Sequence, residues 1–102
     1  MARTDEGKVK EEIKKILKSY DAYYFMPVQM GYGSTGAPDF LVCANGHFFG
    51  IEAKATEKEQ PTGLQKKNMN EIRDAGGWAV VIHAGNLGAL ERMMKEFYDK
   101  DV

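Results

Sequence analysis

Few residues in this sequence belong to the types that build disulfides or zinc sites. The 102 residues include one cysteine, two histidines and three prolines. Cys43 cannot form an internal disulfide, which suits a reducing cytoplasm, and we expect its side chain to be buried in an apolar strand. His47 and His83 stand far apart without metal-ligand spacing, so the pattern disfavours a zinc site.

The sequence also lacks a long apolar run and an excess of either charge. No run reaches the roughly 18 apolar residues of a membrane-spanning helix, and the polar first residues do not resemble a secretory signal. The 14 basic and 15 acidic side chains leave a net charge of −1, so contact with nucleic acid requires a local basic patch. The lysines available for such a patch, or for ordinary solvated faces, are Lys8, Lys10, Lys14, Lys15, Lys18, Lys54, Lys58, Lys66 and Lys67.

What the sequence does contain is an alternation of helix and strand patterns typical of one α/β domain spanning residues 1–102. Apolar residues at helical spacing predict helices at about residues 5–20, 62–75 and after Asn86, a candidate N-cap. Strand patterns cover residues 22–29, 39–44, 47–55 and 78–84, and Pro27 within the first suggests an edge strand or a bulge. The order is α-β-β-β-α-β-α, a mixed sheet flanked by helices, with a right-handed parallel crossover before the last strand.

Two finer expectations concern burial. The strand at 78–84 is typical of a buried strand. One face of the second helix is expected to combine Leu64, Asn68, Ile72 and Ala75.

The dipeptide Asn45-Gly46 is the strongest short signal for a β-hairpin turn. In a two-residue turn Ala44 pairs with His47, and each step outward pairs the next two residues, so that position 39 faces position 52. Asp39 and Glu52 are therefore expected directly opposite each other, with Lys54 on the same face. The opposite face carries apolar side chains for a core: Phe40, Val42, Phe49 and Ile51.

Two opposed carboxylates destabilise a sheet, because their Cβ atoms lie roughly 5 Å apart. Such a pair either raises one pKa or binds a cation. Hard oxygen ligands without convergent histidine or cysteine favour Mg²⁺ or Mn²⁺. The alternative is a surface ion-pair cluster in which Lys54 bridges Asp39 and Glu52.

At these residues the sequence resembles the PD-(D/E)XK nuclease superfamily, whose signature stands here as Pro38-Asp39 followed by Glu52-Ala53-Lys54. More closely, it resembles the VRR-NUC family, the virus-type replication-repair nuclease domain, and in particular its small stand-alone phage members. The segments that carry this resemblance are "EGKVK", "YYFMPVQMGYGSTGAPDFLV", "FFGIEAKA", "PTGLQ" and "AGGWAVVI".

The resemblance implies a PD-(D/E)XK nuclease-like core in which Asp39, Glu52 and the backbone carbonyl of Ala53 hold the divalent metal ion. It implies that Lys54 positions or activates the attacking water and offsets charge on the phosphate. It also implies that Gln65 is the glutamine that such nucleases place on the helix after the catalytic strand.

The resemblance further implies an acid from the first helix. At about 100° per residue, Glu6 lies about 36° from the centre of the apolar stripe, Glu12 about 84° and Glu11 about 176°. We therefore expect Glu6 to join the site, with Glu12 as the second choice; the alternative for Glu6 is a first-turn acid favoured by the helix dipole. Thr62 to Gln65 also match a capping box, so helix capping is the alternative role of Gln65.

The segment "GYGSTGAP" is rich in glycine and precedes Asp39. Its backbone is a candidate phosphate contact, and Tyr32 and Ser34 are candidate DNA contacts. The alternative is that the glycines only turn the chain.

Together, the residues and the resemblance predict a metal-dependent DNA endonuclease similar to Holliday-junction resolvases. Such enzymes act as homodimers on four-way junctions, and this one would act in the cytoplasm, that of a bacterial host cell if the chain is phage-encoded. The alternatives are a nuclease for duplex or flapped DNA and a non-catalytic DNA-binding or interaction module on the same fold. Aromatic residues available to a dimer interface, if they are exposed, are Tyr20, Tyr23, Tyr24 and Tyr98.

Overall fold

The structure is a computed structural model that describes residues 5–28 and 36–99. Three helices and four strands follow one another in the order predicted from the sequence. Their bounds are α1 Asp5–Ser19, β1 Tyr23–Phe25, β2 Phe40–Ala44, β3 His47–Ala53, α2 Gly63–Asp74, β4 Trp78–Ile82 and α3 Leu87–Tyr98.

The four strands form one mixed sheet in the order β1-β2-β3-β4. Neighbouring strands are antiparallel from β1 to β3, whereas β3 and β4 run parallel and are connected through α2. The predicted parallel crossover and the edge position of β1 are therefore confirmed. β1 has three residues and ends before Pro27, because proline has no N–H to donate to a ladder.

The hairpin between β2 and β3 has the predicted register. Asn45 and Gly46 have φ angles of 49° and 85°, the two positive values of a turn that matches the twist of a hairpin. The pairs run from Ala44 with His47 to Phe40 with Ile51. The local turn thus fixes which residues of the two strands face each other.

The core lies between one face of the sheet and helices α1 and α3. The strands contribute alternate residues to this face, and each helix contributes one apolar stripe. The largest fully buried side chains of the described residues are Ile13, Leu17, Phe40, Val42, Phe49, Ile51, Ile82, Leu90 and Met94. The four apolar residues that the hairpin pattern assigned to the core are all among them.

Helix α2 lies on the opposite face, over β3 and β4. At Gly50 an added Cβ would lie 2.8 Å from Pro38 Cγ and 3.0 Å from Ile72 Cδ1, so the glycine permits this close packing. Of the four residues that helical spacing places along one face of α2, Leu64 is 42% exposed, and the buried residue of this helix is Met69. The angle at which α2 crosses the sheet selects this face, and helical spacing alone does not specify that angle.

The β1 and β2 half of that face has no helix over it among the described residues. Cys43, which pairs with Tyr23 and Phe48, is exposed. The expectation of a buried cysteine was therefore wrong, because α2 covers the neighbouring strands instead. Tyr23 is 72% exposed.

The other three tyrosines suggested for an interface are half-buried. Tyr20 and Tyr98 stack with ring centroids 5.5 Å apart, and Tyr24 packs 5.8 Å from Phe40. Intramolecular packing thus accounts for these three rings.

Strand β4 and the start of α3 differ from expectation in two details. Trp78 is 50% exposed because β4 is the second edge of the sheet, so the fully buried strand was not observed. Asn86 occupies the N-cap position of α3 without a side-chain capping bond. Its amide instead donates to the Val81 carbonyl at 2.9 Å and accepts from the His83 N–H at 2.7 Å.

None of the described helices combines the length and apolarity that crossing a membrane requires.

Candidate active site

Asp39 and Glu52 meet where β2 begins and β3 ends. The last ladder pair is Phe40 with Ile51, so the next step outward brings these two acids opposite each other, as the turn predicted. Asp39 precedes the first residue of β2, and its Oδ2 accepts a hydrogen bond from the Ala53 N–H at 2.8 Å. This bond holds the Asp39 carboxylate against the end of β3.

Glu52 is the buried charged residue of the described chain, with 3% exposure. Within the described residues, its Oε1 has no hydrogen-bond partner. Its Oε2 lies 3.6 Å from Lys54 Nζ. An unpaired buried carboxylate oxygen carries a desolvation cost, so the ionised Glu52 destabilises the folded state.

The electrostatics of the pair follow from this burial. Burial raises the pKa of Glu52 to about 7, and the Asp39 carboxylate pushes it in the same direction. The ammonium of Lys54 opposes the rise by charge and by hydrogen bonding, while Glu6 adds a smaller upward push. The surface ion-pair alternative does not describe this arrangement, because Glu52 is shielded from solvent.

Lys54 is held from two sides. Besides its contact with Glu52, its Nζ donates to Gln65 Oε1 at 3.3 Å. The same Gln65 oxygen accepts the Thr62 N–H at 2.9 Å, and the Gln65 N–H donates to Thr62 Oγ1 at 3.1 Å. The Gln65 side chain therefore completes the capping box of α2 and also contacts Lys54. Helix capping and a place beside Lys54 are thus compatible in this one side chain.

Helix α1 brings an acid and a base to the same place. Lys10 Nζ lies 3.4 Å from Glu6 Oε2 and 3.6 Å from Asp39 Oδ1. The structure therefore places Glu6 beside the two strand acids, connected to Asp39 through Lys10. The second choice, Glu12, pairs instead with Lys15 at 3.2 Å on an exposed part of α1.

Lys10 is the residue whose place in the site the sequence did not single out. Its spacing of four from Glu6 was the available signal, since residues i and i+4 are neighbours on a helix. Its contact with Asp39 depends on how α1 packs against the sheet.

Three of the other four lysines of α1 are paired with acids on the same helix. Lys8 lies 3.9 Å from Asp5, Lys14 lies 3.2 Å from Glu11, and Lys15 pairs with Glu12. These contacts along the helix offset most of its positive charge.

The residues of the site fit a divalent cation of the Mg²⁺ type. Among the described residues, no group of three or more His, Cys, Asp or Glu side chains is arranged to hold a metal ion. Mg²⁺ commonly takes only one or two carboxylates from a protein and fills its shell with water and substrate oxygens. Asp39 and Glu52 supply two, and Glu52 Oε1, which has no hydrogen-bond partner among the described residues, is an available ligand atom.

The backbone carbonyl of Ala53 is a further candidate ligand. In a strand, the N–H and C=O of one residue point in the same direction. Because the Ala53 N–H points toward Asp39, strand geometry directs its carbonyl toward the acids as well.

The remaining candidates lie elsewhere. His47 stacks on Phe97 with centroids 4.1 Å apart, and His83 Nδ1 accepts the Gly85 N–H at 3.0 Å. Neither histidine takes part in the acid pair. Tyr32 and Ser34 lie outside the described residues.

Comparison with known proteins identifies the fold. No protein-family model matches the sequence, and no curated protein matches it. A solved structure titled "VRR_NUC domain" matches with a TM-score of 0.69 and 21% sequence identity, covering 98% of this chain and 100% of that one. The chain therefore has the fold of a VRR_NUC domain, the fold that the sequence resemblance predicted.

Proposed function

We propose that this chain is a metal-dependent nuclease of the VRR-NUC type that hydrolyses phosphodiester bonds in DNA. The observation that carries the proposal is the buried Glu52, whose Oε1 has no hydrogen-bond partner among the described residues and whose Oε2 lies 3.6 Å from Lys54 Nζ. A domain with no use for this arrangement would be more stable with a neutral residue at position 52. The fold of a VRR_NUC domain supports the same proposal.

Each residue of the site has a role that its position supports. Asp39, Glu52 and the Ala53 carbonyl would hold Mg²⁺ or Mn²⁺. When bound, the ion would supply Lewis-acid chemistry, polarising the phosphate and making a water molecule more acidic. Glu6, held near Asp39 through Lys10, would add negative charge around the cation.

Lys54 and Gln65 would act on the phosphate rather than on the ion. Phosphodiester hydrolysis gathers negative charge on the phosphate oxygens, and a fixed positive charge nearby stabilises it. Lys54 carries that charge, and Gln65 orients its Nζ through the 3.3 Å hydrogen bond. Because Gln65 is also part of the cap of α2, the helix holds the lysine in place.

For the substrate, we propose branched DNA cut by a homodimer. The sequence resemblance to stand-alone phage members supports this, because two sites in one dimer meet two strands of a junction. We also propose a cytoplasmic location, that of the bacterial host if the chain is phage-encoded.

A non-catalytic DNA-binding module is less well supported. The net charge is −1, and most of the lysines of α1 are paired with acids on the same helix. Passive binding draws on a basic surface, which α1 does not offer.

The test is cleavage of a labelled four-way junction and of a matched linear duplex, in Mg²⁺, in Mn²⁺ and in EDTA. Wild type is compared with Glu52→Gln, which keeps the shape of the side chain, and with Glu12→Gln as a matched control on the exposed face of α1. We expect metal-dependent symmetric junction cuts in wild type and the control, and none with Glu52→Gln. Equal cutting of both substrates would remove the junction preference, and no cutting with DNA binding intact would leave the binding module.

A further inference from the structure

Lys10 occupies a position where its charge competes with a bound cation. Its ammonium lies between two carboxylates, 3.4 Å from Glu6 Oε2 and 3.6 Å from Asp39 Oδ1. Asp39 is largely buried, with a side-chain exposure of 15%. The contact is therefore less screened by solvent than the other ion pairs of α1.

Both oxygens of Asp39 are engaged in this arrangement. Oδ2 accepts the Ala53 N–H at 2.8 Å, and Oδ1 faces Lys10. A carboxylate has several lone pairs, so the backbone bond is compatible with a further ligand. A divalent cation beside Oδ1, however, would repel an ammonium only a few ångströms away.

We propose that Lys10 is an internal counter-ion of the acid site, which occupies the Asp39 side of the site in the metal-free protein and is displaced when a divalent cation binds. This inference rests on the proposed metal-dependent function. Lys10 then has two opposite effects: it stabilises the metal-free fold by offsetting the charges of Glu6 and Asp39, and it weakens metal binding by the same interaction. Its side chain is 30% exposed and long enough to turn toward solvent.

Helix α1 supplies a matched control. Lys14 has nearly the same side-chain exposure, 31%, and pairs with Glu11 at 3.2 Å one turn further along. Replacing Lys14 removes one positive charge from α1, as replacing Lys10 does, but it leaves the contact between Lys10 and Asp39 in place. A difference between variants at positions 10 and 14 therefore reports on the site.

The experiment is a calorimetric titration of the full chain with Mn²⁺, without DNA. The proteins are wild type, Lys10→Gln, Lys10→Met, Lys14→Gln and Glu52→Gln, each checked for folding by circular dichroism. We expect Mn²⁺ to bind the two Lys10 variants about tenfold more tightly than wild type, a change of about 1.4 kcal/mol, and Lys14→Gln within about twofold of wild type. The metal-free Lys10 variants should also melt at a lower temperature than Lys14→Gln.

Other outcomes separate the two proposals. If wild type binds Mn²⁺ and the Lys10 variants bind it equally or more weakly, the counter-ion role is wrong and the metal site stands. If wild type binds no Mn²⁺, or if Glu52→Gln binds it as well as wild type, the proposed metal site itself is wrong. A purely structural ion pair predicts lower stability without any gain in Mn²⁺ affinity, so the two readouts together distinguish the roles.

Discussion

The buried Glu52 leads to a quantitative prediction about stability. Its pKa in the folded protein is about 7, compared with an ordinary value of 4.5. Between these values the folded state holds a proton that the unfolded state has released, so the free energy of unfolding falls as the pH rises. The full decrease in the free energy of unfolding is reached above the pKa of the folded state. It amounts to roughly 3 kcal/mol, since each pKa unit corresponds to about 1.4 kcal/mol.

Replacement of Glu52 by glutamine removes the charge and keeps the shape. The variant should therefore be more stable than wild type by about 2 to 3 kcal/mol at about pH 8, and nearly equal to it at about pH 4, where the wild-type carboxyl is mostly protonated in both states. For a domain of this size that gain corresponds to a melting temperature roughly 10 °C higher. The attraction of Lys54 is already contained in the pKa of about 7, so it needs no separate correction.

The assay is urea or thermal unfolding of metal-free protein across this pH range, with Glu12→Gln as the control. Glu12 belongs to an exposed ion pair, so its replacement should change stability by less than about 0.5 kcal/mol at any pH. Adding Mn²⁺ should raise the melting temperature of wild type and leave that of Glu52→Gln unchanged. A Glu52→Gln variant that is less stable than wild type at about pH 8, or equally stabilised at both pH values, would refute the reasoning.

Three further predictions concern the residues around the acids. Lys54→Met should lower the single-turnover cleavage rate by about 100-fold or more while the protein stays folded, because the fixed charge near the phosphate is lost; a rate within a few-fold of wild type would contradict its role. Gln65→Ala and Thr62→Ala should each cost about 1 kcal/mol in chemical denaturation, because both disrupt the capping box. Of these two variants, only Gln65→Ala should slow cleavage strongly, because Gln65 is the residue of the pair that contacts Lys54. Equal cleavage rates for Gln65→Ala and Thr62→Ala would contradict this. Gly50→Ala should cost roughly 1–3 kcal/mol in the same unfolding assay, since the new methyl group overlaps Pro38, and an unchanged stability would show that the contact is loose.

Much of the site could be predicted from local sequence. The Asn45-Gly46 turn set the register of the hairpin, and the register brought Asp39 to Glu52. The capping box at Thr62 and Gln65 was visible as a four-residue pattern. The angular position of Glu6 on its helix favoured it over Glu12, and Glu6 lies near Asp39 with Lys10 between them.

Expectations that depended on neighbours in space fared less well. The apolar residues around Cys43 predict a buried side chain, yet Cys43 is exposed. The reason is that α2 covers β3 and β4, so that no described helix lies over β2 on that side. Asn86 has the residue type of a helix cap, but its amide bonds to Val81 and His83 instead. For Cys43 the deciding element is a helix elsewhere in the chain, whereas for Asn86 the competing partners are the backbone groups of the turn that directly precedes it.

The sequence by itself therefore determined the order of elements, the strand register and the opposition of two carboxylates, because turns, periodicity and alternation are properties of short segments. Only the tertiary structure decided that Glu52 is buried with one oxygen unpartnered within the described part of the chain, that Gln65 contacts Lys54, and that Lys10 lies against Asp39. Burial and charge contacts arise when whole elements pack together. The angle and offset of that packing result from the sum of many weak contacts, which no single segment encodes.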